Sequence, residues 1–295
     1  MNSESASLLA AETQSSSSVR LTSPVLESPG TDDSSLDAVE PITLSWRDIG
    51  ITVKKTGRVL LQDVSGLARP GELLALMGPS GSGKTTLLNT FLQRNLSGLH
   101  VAGRVEVNGN VIGPHIAALS GYAQQEEMFV GTLTVREYLC VQARLRTPFS
   151  RARREKRVDV VLSSLGLSKC QNNKIGIPGV LKGISGGEAR RLTFACELLS
   201  NPALLFCDEP TTGLDSFLAE HIVELLSSLA KSGRTVVCTI HQPASQLYLM
   251  FDRVMFIGGE ARRLTFACEL LSNPALMFCR PADSGARLVP AEQHR

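Results

Sequence analysis

Apolar and polar positions alternate in ITLSWRDIGITVKK (42–55) and RVLLQDVSG (58–66), a period that predicts two β-strands. Pro70-Gly71 marks a turn, and the apolar run GELLALMG (71–78) ends in glycine. The spacing then becomes helical in KTTLLNTFLQRNL (84–96), so the order here is strand, glycine loop, helix. AGRVEVNGNVIG (102–113) sets Asn-Gly between β-formers, a hairpin pattern. Helical periodicity dominates TVREYLCVQARLR (134–146), RARREKRVDVVLSSLGL (151–167) and GEARRLTFACELLS (187–200). Strand texture returns in PALLFCDEP (202–210) and RTVVCTIHQ (234–242), with the helical FLAEHIVELLSSLAKSG (217–233) between them. Strands alternating with helices predict an α/β fold with a mostly parallel central sheet. The helical block in the middle reads as a subdomain inserted into it.

Residues 1–41 break this pattern. Eleven serines and seven acidic residues against one basic residue in the first 40 positions leave too little apolar surface to offset the entropy of ordering, so a disordered Ser-rich acidic tail is expected. Lysine and arginine total 30 against 28 acidic residues, a formal +2, which argues against a nucleic-acid scaffold held by bulk charge. No run approaches the ~18 apolar residues of a membrane span. The first residues lack the basic start and apolar core of a signal peptide. The seven cysteines form no CxxC pair and read as reduced, small buried hydrophobes. The basic cluster Arg144, Arg146, Arg151, Arg153, Arg154, Lys156 and Arg157 reads as a solvated face of the helical block, the alternative being a face toward anionic lipid.

The strongest chemical signal is Gly78-Pro79-Ser80-Gly81-Ser82-Gly83-Lys84-Thr85, which fits GxxxxGK[ST] between a predicted strand and a predicted helix. In such a P-loop, followed by Thr86, backbone N–H groups turn inward around phosphate oxygens. The helix N-terminus adds positive potential. Lys84 is placed to reach the β- and γ-phosphates and the Thr85 hydroxyl to ligate Mg²⁺. A second signal, Ala203 to Glu209, is an apolar strand ending in two carboxylates, with Asp208 as Mg²⁺ holder and Glu209 as the group that polarises an attacking water. A third, Ile184-Ser185-Gly186-Gly187-Glu188, opens a helix whose serine hydroxyl and glycine amides form another anion-binding start.

With these three elements in order, residues 42–257 resemble the nucleotide-binding domain of ATP-binding cassette (ABC) transporters, whose signature is LSGGQ-like. The resemblance implies the ABC ATPase fold: a P-loop NTPase core with an N-terminal antiparallel β-subdomain and an inserted helical subdomain. It also implies that Gln125 in GYAQQEE is the Q-loop glutamine, touching Mg²⁺ and lying near the membrane partner. Asp215 in TTGLDS would be the D-loop aspartate that bridges two nucleotide domains, and His241 in TIHQPAS the switch histidine on the γ-phosphate. GTLTVREYL, ISGGEARRLTFACELLSNP and IHQPASQLYLMFDRV are similar to the G subfamily, the White-like half-transporters of pigment precursors and sterols. In that subfamily the nucleotide domain precedes membrane helices on one polypeptide and two halves dimerise. The implied function is ATP binding and hydrolysis that powers transport of a lipid, sterol or pigment-precursor cargo. ATP and Mg²⁺ are the implied cofactors. The implied partners are a second nucleotide-binding domain and the transmembrane domain of a half-transporter, with no nucleic acid. The implied location is the cytoplasmic side of a membrane, or the cytosol for this chain by itself. The alternative is a truncated, catalytically impaired form that binds ATP or a partner half without transport. A soluble ABC ATPase needs two P-loops or a long coiled-coil insertion, and a P-loop kinase leaves Ser185–Glu188 and His241 without a use.

Two departures from the family pattern stand out. No aromatic precedes the loop at the position that stacks adenine, where Val53 is the apolar substitute, and Trp46 lies too early and is expected in the core. Secondly, GGEARRLTFACELLSNPALLFC (186–207) recurs at 258–279 with 21 of 22 residues identical, Leu205 becoming Met277. The copy has Ile257 where Ser185 stands, and Arg280 and Pro281 in place of Asp208 and Glu209. It lacks metal ligand and base, so 258–295 reads as an aberrant, partly helical tail whose apolar residues have lost their sheet partners, rather than as a second centre.

Overall fold

The computed structural model describes residues 36–126, 128–177, 179–241, 245–258 and 265–269. The expected tail over 1–35 and most of the repeated C-terminal segment lie outside the described residues. Residues 36–41, expected within that tail, lie against the body: Asp37 pairs with Arg157 at 3.3 Å, and Asn201 donates to the Asp37 carbonyl.

The first layer is a three-stranded antiparallel sheet of β1 (Leu44–Val53), β2 (Val59–Ala68) and β4 (Leu99–Val107) in the order β2-β1-β4. Its inward side chains, Leu44, Trp46, Ile49 and Ile51, alternate with polar positions and are all nearly inaccessible to solvent. Trp46 is a core residue, its ring 4.6 Å from that of Phe91. The Asn108-Gly109 turn forms, with φ of 50° and 80°, but the expected hairpin stops at one bridge from Val107 to Asn110. β4 pairs along its length with β1 instead, because that pairing covers an apolar face that a local hairpin would leave in water.

The second layer is a six-stranded sheet in the order β5-β6-β7-β3-β8-β9. Its strands are β3 (Leu73–Met77), β5 (Ser120–Ala123), β6 (Leu204–Cys207), β7 (Thr235–Ile240), β8 (Arg253–Ile257) and β9 (Thr265–Glu269). The first five are parallel, and every residue of β3, β6 and β7 is buried, as expected for strands covered on both faces. β9 adds antiparallel to β8, so this part of the expected helical tail is instead a strand with a sheet partner, the open edge of β8 supplying its backbone hydrogen bonds. Helix α1 (Lys84–Phe91) follows β3 and stops earlier than its apolar period, because Gln93 and Asn95 turn left-handed at φ near 54° and 53°. The short α2 (Ile116–Leu119) leads into β5, and α7 (Ser245–Tyr248) into β8.

The helical block comprises α3 (Val135–Arg146), α4 (Arg151–Ser164) and the start of α5 (Gly186–Leu198). Thr134 and Glu137 form a capping box on α3, which explains why the helix begins where it does. Much of the basic cluster is engaged: Arg146 pairs with Glu197 at 2.9 Å, Arg151 with Glu155 at 2.9 Å, and Arg153 lies over the Phe149 ring. Arg157, expected on a solvated face, is buried and donates to the Leu198 carbonyl as well as to Asp37. Helix α6 (Ser216–Lys231) ends before Gly233, whose φ is 98°. Among the described residues, no helix is long and apolar enough to cross a membrane. Cys170, Cys196, Cys207 and Cys238 are buried thiols.

Candidate active site

The parallel register decides where the chemistry collects. Ala123, Cys207 and Cys238 lie side by side across β5, β6 and β7, and Met77 pairs with Ile240. The segments that leave those strands therefore emerge at one edge of the sheet. They carry the Gly78–Thr85 loop after β3, Gln125 after β5, Asp208 and Glu209 after β6, and His241 after β7. Open α/β sheets bind ligands at this carboxyl edge.

Two glycines shape the loop. A Cβ on Gly78 would sit 2.3 Å from the Ile257 carbonyl oxygen and 2.7 Å from Ser82 Oγ. Gly83, the residue before α1, has φ 94° and would meet Leu61 of β2, so the antiparallel layer buttresses the loop directly. Lys84 is buried at 4% exposure and curls its ammonium onto the Gly78 and Pro79 carbonyls at 2.9 and 3.0 Å. Burial pushes this amine below its ordinary value, against the opposing pull of the Glu209 and Asp208 carboxylates. Ser82 Oγ is buried with no hydrogen-bond partner among the described residues, an orphaned hydroxyl inside a cradle of backbone.

Asp208 is 3% exposed and is held by three hydroxyls. Thr85 and Thr239 donate to Oδ1 at 3.1 and 2.6 Å, and Tyr122 donates to Oδ2 at 3.2 Å. Thr239 lies next to Asp208 because β7 runs two residues past the Cys207–Cys238 pair. Glu209 has φ 46°, a left-handed backbone that a non-glycine residue adopts at a cost. Its N–H donates to Thr239 Oγ1 at 2.8 Å, and its Oε2 accepts from Gln125 Nε2 at 2.9 Å and Thr212 Oγ1 at 3.1 Å. Gln125 thus reaches the second carboxylate. His241 is exposed at the end of β7.

The remaining candidates sit elsewhere. Ser185 caps α5: its N–H and Oγ donate to Glu188 Oε2 at 2.7 and 2.8 Å, while the Glu188 N–H donates back to Ser185 Oγ at 3.3 Å. Among the described residues no hydrogen bond joins Ser185, Gly186, Gly187 or Glu188 to the 78–86 loop. Asp215 caps α6, accepting from the Leu218 N–H at 2.9 Å. Val53 is half-buried at the end of β1. Tyr122, Thr239, Thr212 and Arg190 also line the sheet edge, though no sequence motif marks them. The guanidinium of buried Arg190 donates to the Gln124 and Gln125 carbonyls at 3.3 and 3.1 Å and so ties α5 to the Gln125 segment. A hydroxyl at the end of a buried strand, as in Thr239, was the available signal; Tyr122 lay in a strand too short to recognise.

The capping box carries its own prediction. Burial pushes the Glu188 carboxyl up, but hydrogen bonds from Ser185 outweigh this and leave it below its ordinary value. The charge-dependent part of its contribution is therefore complete above the unfolded value near 4.5 and is lost as pH falls through the depressed one. Glu188→Ala is expected to cost about 0.5–1.5 kcal/mol at neutral pH in a urea melt, and Glu188→Gln, which keeps the oxygen acceptor of the box and loses only the charge, less.

Residues 61–212 match the family model described as ABC transporter. The chain belongs to the ABC transporter family. It is 53% identical over 227 residues to ABC transporter ATP-binding protein/permease wht-3 of Caenorhabditis elegans, covering 75% of this chain and 37% of that protein. Over 235 residues it is 49% identical to Protein white of Drosophila melanogaster, covering 73% of this chain and 34% of the relative. Over another 235 residues it is 46% identical to ABC transporter G family member 7 of Arabidopsis thaliana, covering 77% and 32%. The matched region is the ATP-binding domain of White-like, G-subfamily ABC transporters. The chain spans about a third of the length of these curated relatives.

The residues at the sheet edge fit the ligands that an ABC domain implies. Backbone and lysine line a cradle sized by Gly78, with an orphaned Ser82 hydroxyl inside it. The Thr85 hydroxyl and Asp208 carboxylate converge within 3.1 Å as hard oxygen donors suited to Mg²⁺ rather than to a softer metal.

Proposed function

We propose that this ABC domain hydrolyses ATP at an interface between two nucleotide-binding domains and that the cycle powers transport by membrane helices outside this chain. Lipid, sterol or pigment-precursor cargo is the proposed class. One observation carries the reading: Lys84, Thr85, Asp208, Glu209 and Gln125 converge at one sheet edge, while Ser185 opens a separate helix with, among the described residues, no hydrogen bond to that loop. Each chain therefore holds an anion cradle and an anion cap that do not meet within the chain, and a second copy brings a cap to each cradle. This makes the site a half-site in each subunit.

In this reading the Gly78–Thr86 backbone and Lys84 bind the phosphates, with Val53 beside the base. Thr85 and Asp208 hold Mg²⁺, with Gln125 beside it, and Glu209 orients the attacking water and accepts its proton. ATP brings the phosphoanhydride bond and Mg²⁺ the charge that neutralises its oxygens. Gln125 and Thr212 hold the Glu209 carboxylate from two sides, which limits its rotation before any water arrives. Exposed His241 offers a donor to the developing negative charge. Ser185, Gly186, Gly187 and Glu188 of the second copy close the far side, with Asp215 near the seam. The carbonyls that accept from Arg190 lie beside Gln125, so movement of α5 is transmitted to the residue touching Glu209.

Complementation tests the composite site. Lys84→Ala and Ser185→Gly chains are each expected to be inactive by themselves. Mixing them restores one intact site in each heterodimer, so about a quarter of wild-type turnover is expected from random pairing. A mixture as inactive as its components would overturn the two-chain site.

A further inference from the structure

We infer that Tyr122 and Thr239 are positioning residues that lock the Asp208 carboxylate in its Mg²⁺-binding orientation, with Thr239 joining that lock to the backbone of Glu209. The inference rests on the ATP-binding reading of this site.

The direction of the hydrogen bonds is set by chemistry. The Glu209 N–H can only donate, so at 2.8 Å Thr239 Oγ1 must accept it. The single Thr239 hydroxyl proton is then left for Asp208 Oδ1 at 2.6 Å. The result is a one-way chain from the Glu209 amide through Thr239 to Asp208. Thr239 is fully buried on β7, so water cannot replace it. On the other carboxylate oxygen, Oδ2, the Tyr122 hydroxyl donates at 3.2 Å from β5 on the opposite side of β6. The carboxylate is therefore pinned from both flanking strands.

Thr85 is the third donor, and it differs from the other two because it belongs to the loop that takes the nucleotide. Tyr122 and Thr239 stand on sheet strands and have no such second task. Thr239 has a further effect, because Glu209 holds a left-handed φ of 46° and its N–H has Thr239 Oγ1 as its acceptor. Removing the hydroxyl takes away one of the three donors to the carboxylate and leaves the Glu209 N–H without this acceptor.

The test uses the full 295-residue chain, with Mn²⁺ as the metal probe, electron paramagnetic resonance as the readout, and a non-hydrolysable ATP analogue kept below the concentration of protein sites. Nucleotide affinity is measured separately in EDTA with a fluorescent ATP analogue. Outer residues that orient metal ligands are worth about 10–100-fold in metal affinity, so Thr239→Val is expected to weaken Mn²⁺ binding by that amount and Tyr122→Phe by about 10-fold. Thr239→Ser, which restores the hydroxyl, is expected to return Mn²⁺ affinity to within a few-fold of wild type. Metal-free nucleotide affinity is expected to stay the same in all three. Folded variants that bind Mn²⁺ as tightly as wild type, or a Ser variant as weak as Val, overturn the inference. Should Thr239→Val fail to fold, the Tyr122→Phe and Thr239→Ser measurements decide it. If wild type binds no nucleotide in EDTA, the ATP-binding reading itself falls, a different result from intact binding with unaltered metal affinity.

Discussion

Glu209→Gln is expected to lower ATP turnover by about 10²–10⁴-fold, the range for loss of a positioned general base. The substitution keeps the length and shape of the side chain and removes its capacity to accept a proton. Its neighbours are already set for a side-chain oxygen, with Gln125 Nε2 at 2.9 Å and Thr212 Oγ1 at 3.1 Å, and the amide can still offer one. The backbone at φ 46° is unaffected by the exchange, since neither residue prefers it. ATP binding should therefore stay within a few-fold of wild type, and the bound nucleotide should remain uncleaved. A phosphate-release assay alongside equilibrium binding separates the two effects. Wild-type turnover in this variant would remove Glu209 from the proposed chemistry.

The second large effect is on binding. Lys84→Ala is expected to weaken ATP affinity by about 100-fold or more, because at least two charge-assisted hydrogen bonds are lost, each worth roughly 1.5–3 kcal/mol. Without nucleotide the same ammonium donates to the Gly78 and Pro79 carbonyls. That benefit is opposed by burial, which holds the amine below its ordinary value. The two effects oppose one another, so the melting temperature of the nucleotide-free protein should shift by only a few degrees, equivalent to about 1 kcal/mol. The combination of lost binding and retained fold is the diagnostic result, read by titration of a fluorescent ATP analogue and by thermal melting. Unchanged nucleotide affinity would overturn the assignment of the loop.

Much of this architecture was legible because its signals are local. The buried strands β3, β6 and β7 are short apolar runs bounded by turns, and helices α3, α5 and α6 begin at Thr134, Ser185 and Asp215, each a side chain that caps its own helix. The loop from Gly78 to Thr85 and the acids after β6 were readable for the same reason, since the proposed chemistry rests on their spacing. The hydroxyls of Tyr122 and Thr239 were not. They lie 86 and 31 residues from Asp208 in the chain, and only the parallel register sets them beside it. Arg190 was equally hidden, being 65 residues from the Gln125 carbonyl it holds.

The pentapeptide Thr-Phe-Ala-Cys-Glu divides what sequence determines from what tertiary structure decides. At 193–197 it is helical within α5, behind the Ser185–Glu188 capping box. At 265–269 the same five residues form β9, paired antiparallel with β8. By itself the sequence determined the glycine loop, the paired acids and an α/β order, because each depends on neighbours a few residues away. The tertiary structure decided which copy of an identical segment is helix and which is strand. Ser185 offers the first copy a helix start, whereas at the corresponding position of the second Ile257 is the last, buried residue of a sheet strand whose edge accepts another. Helix and strand preferences differ by a fraction of a kcal/mol per residue, so a cap or an open sheet edge outweighs them.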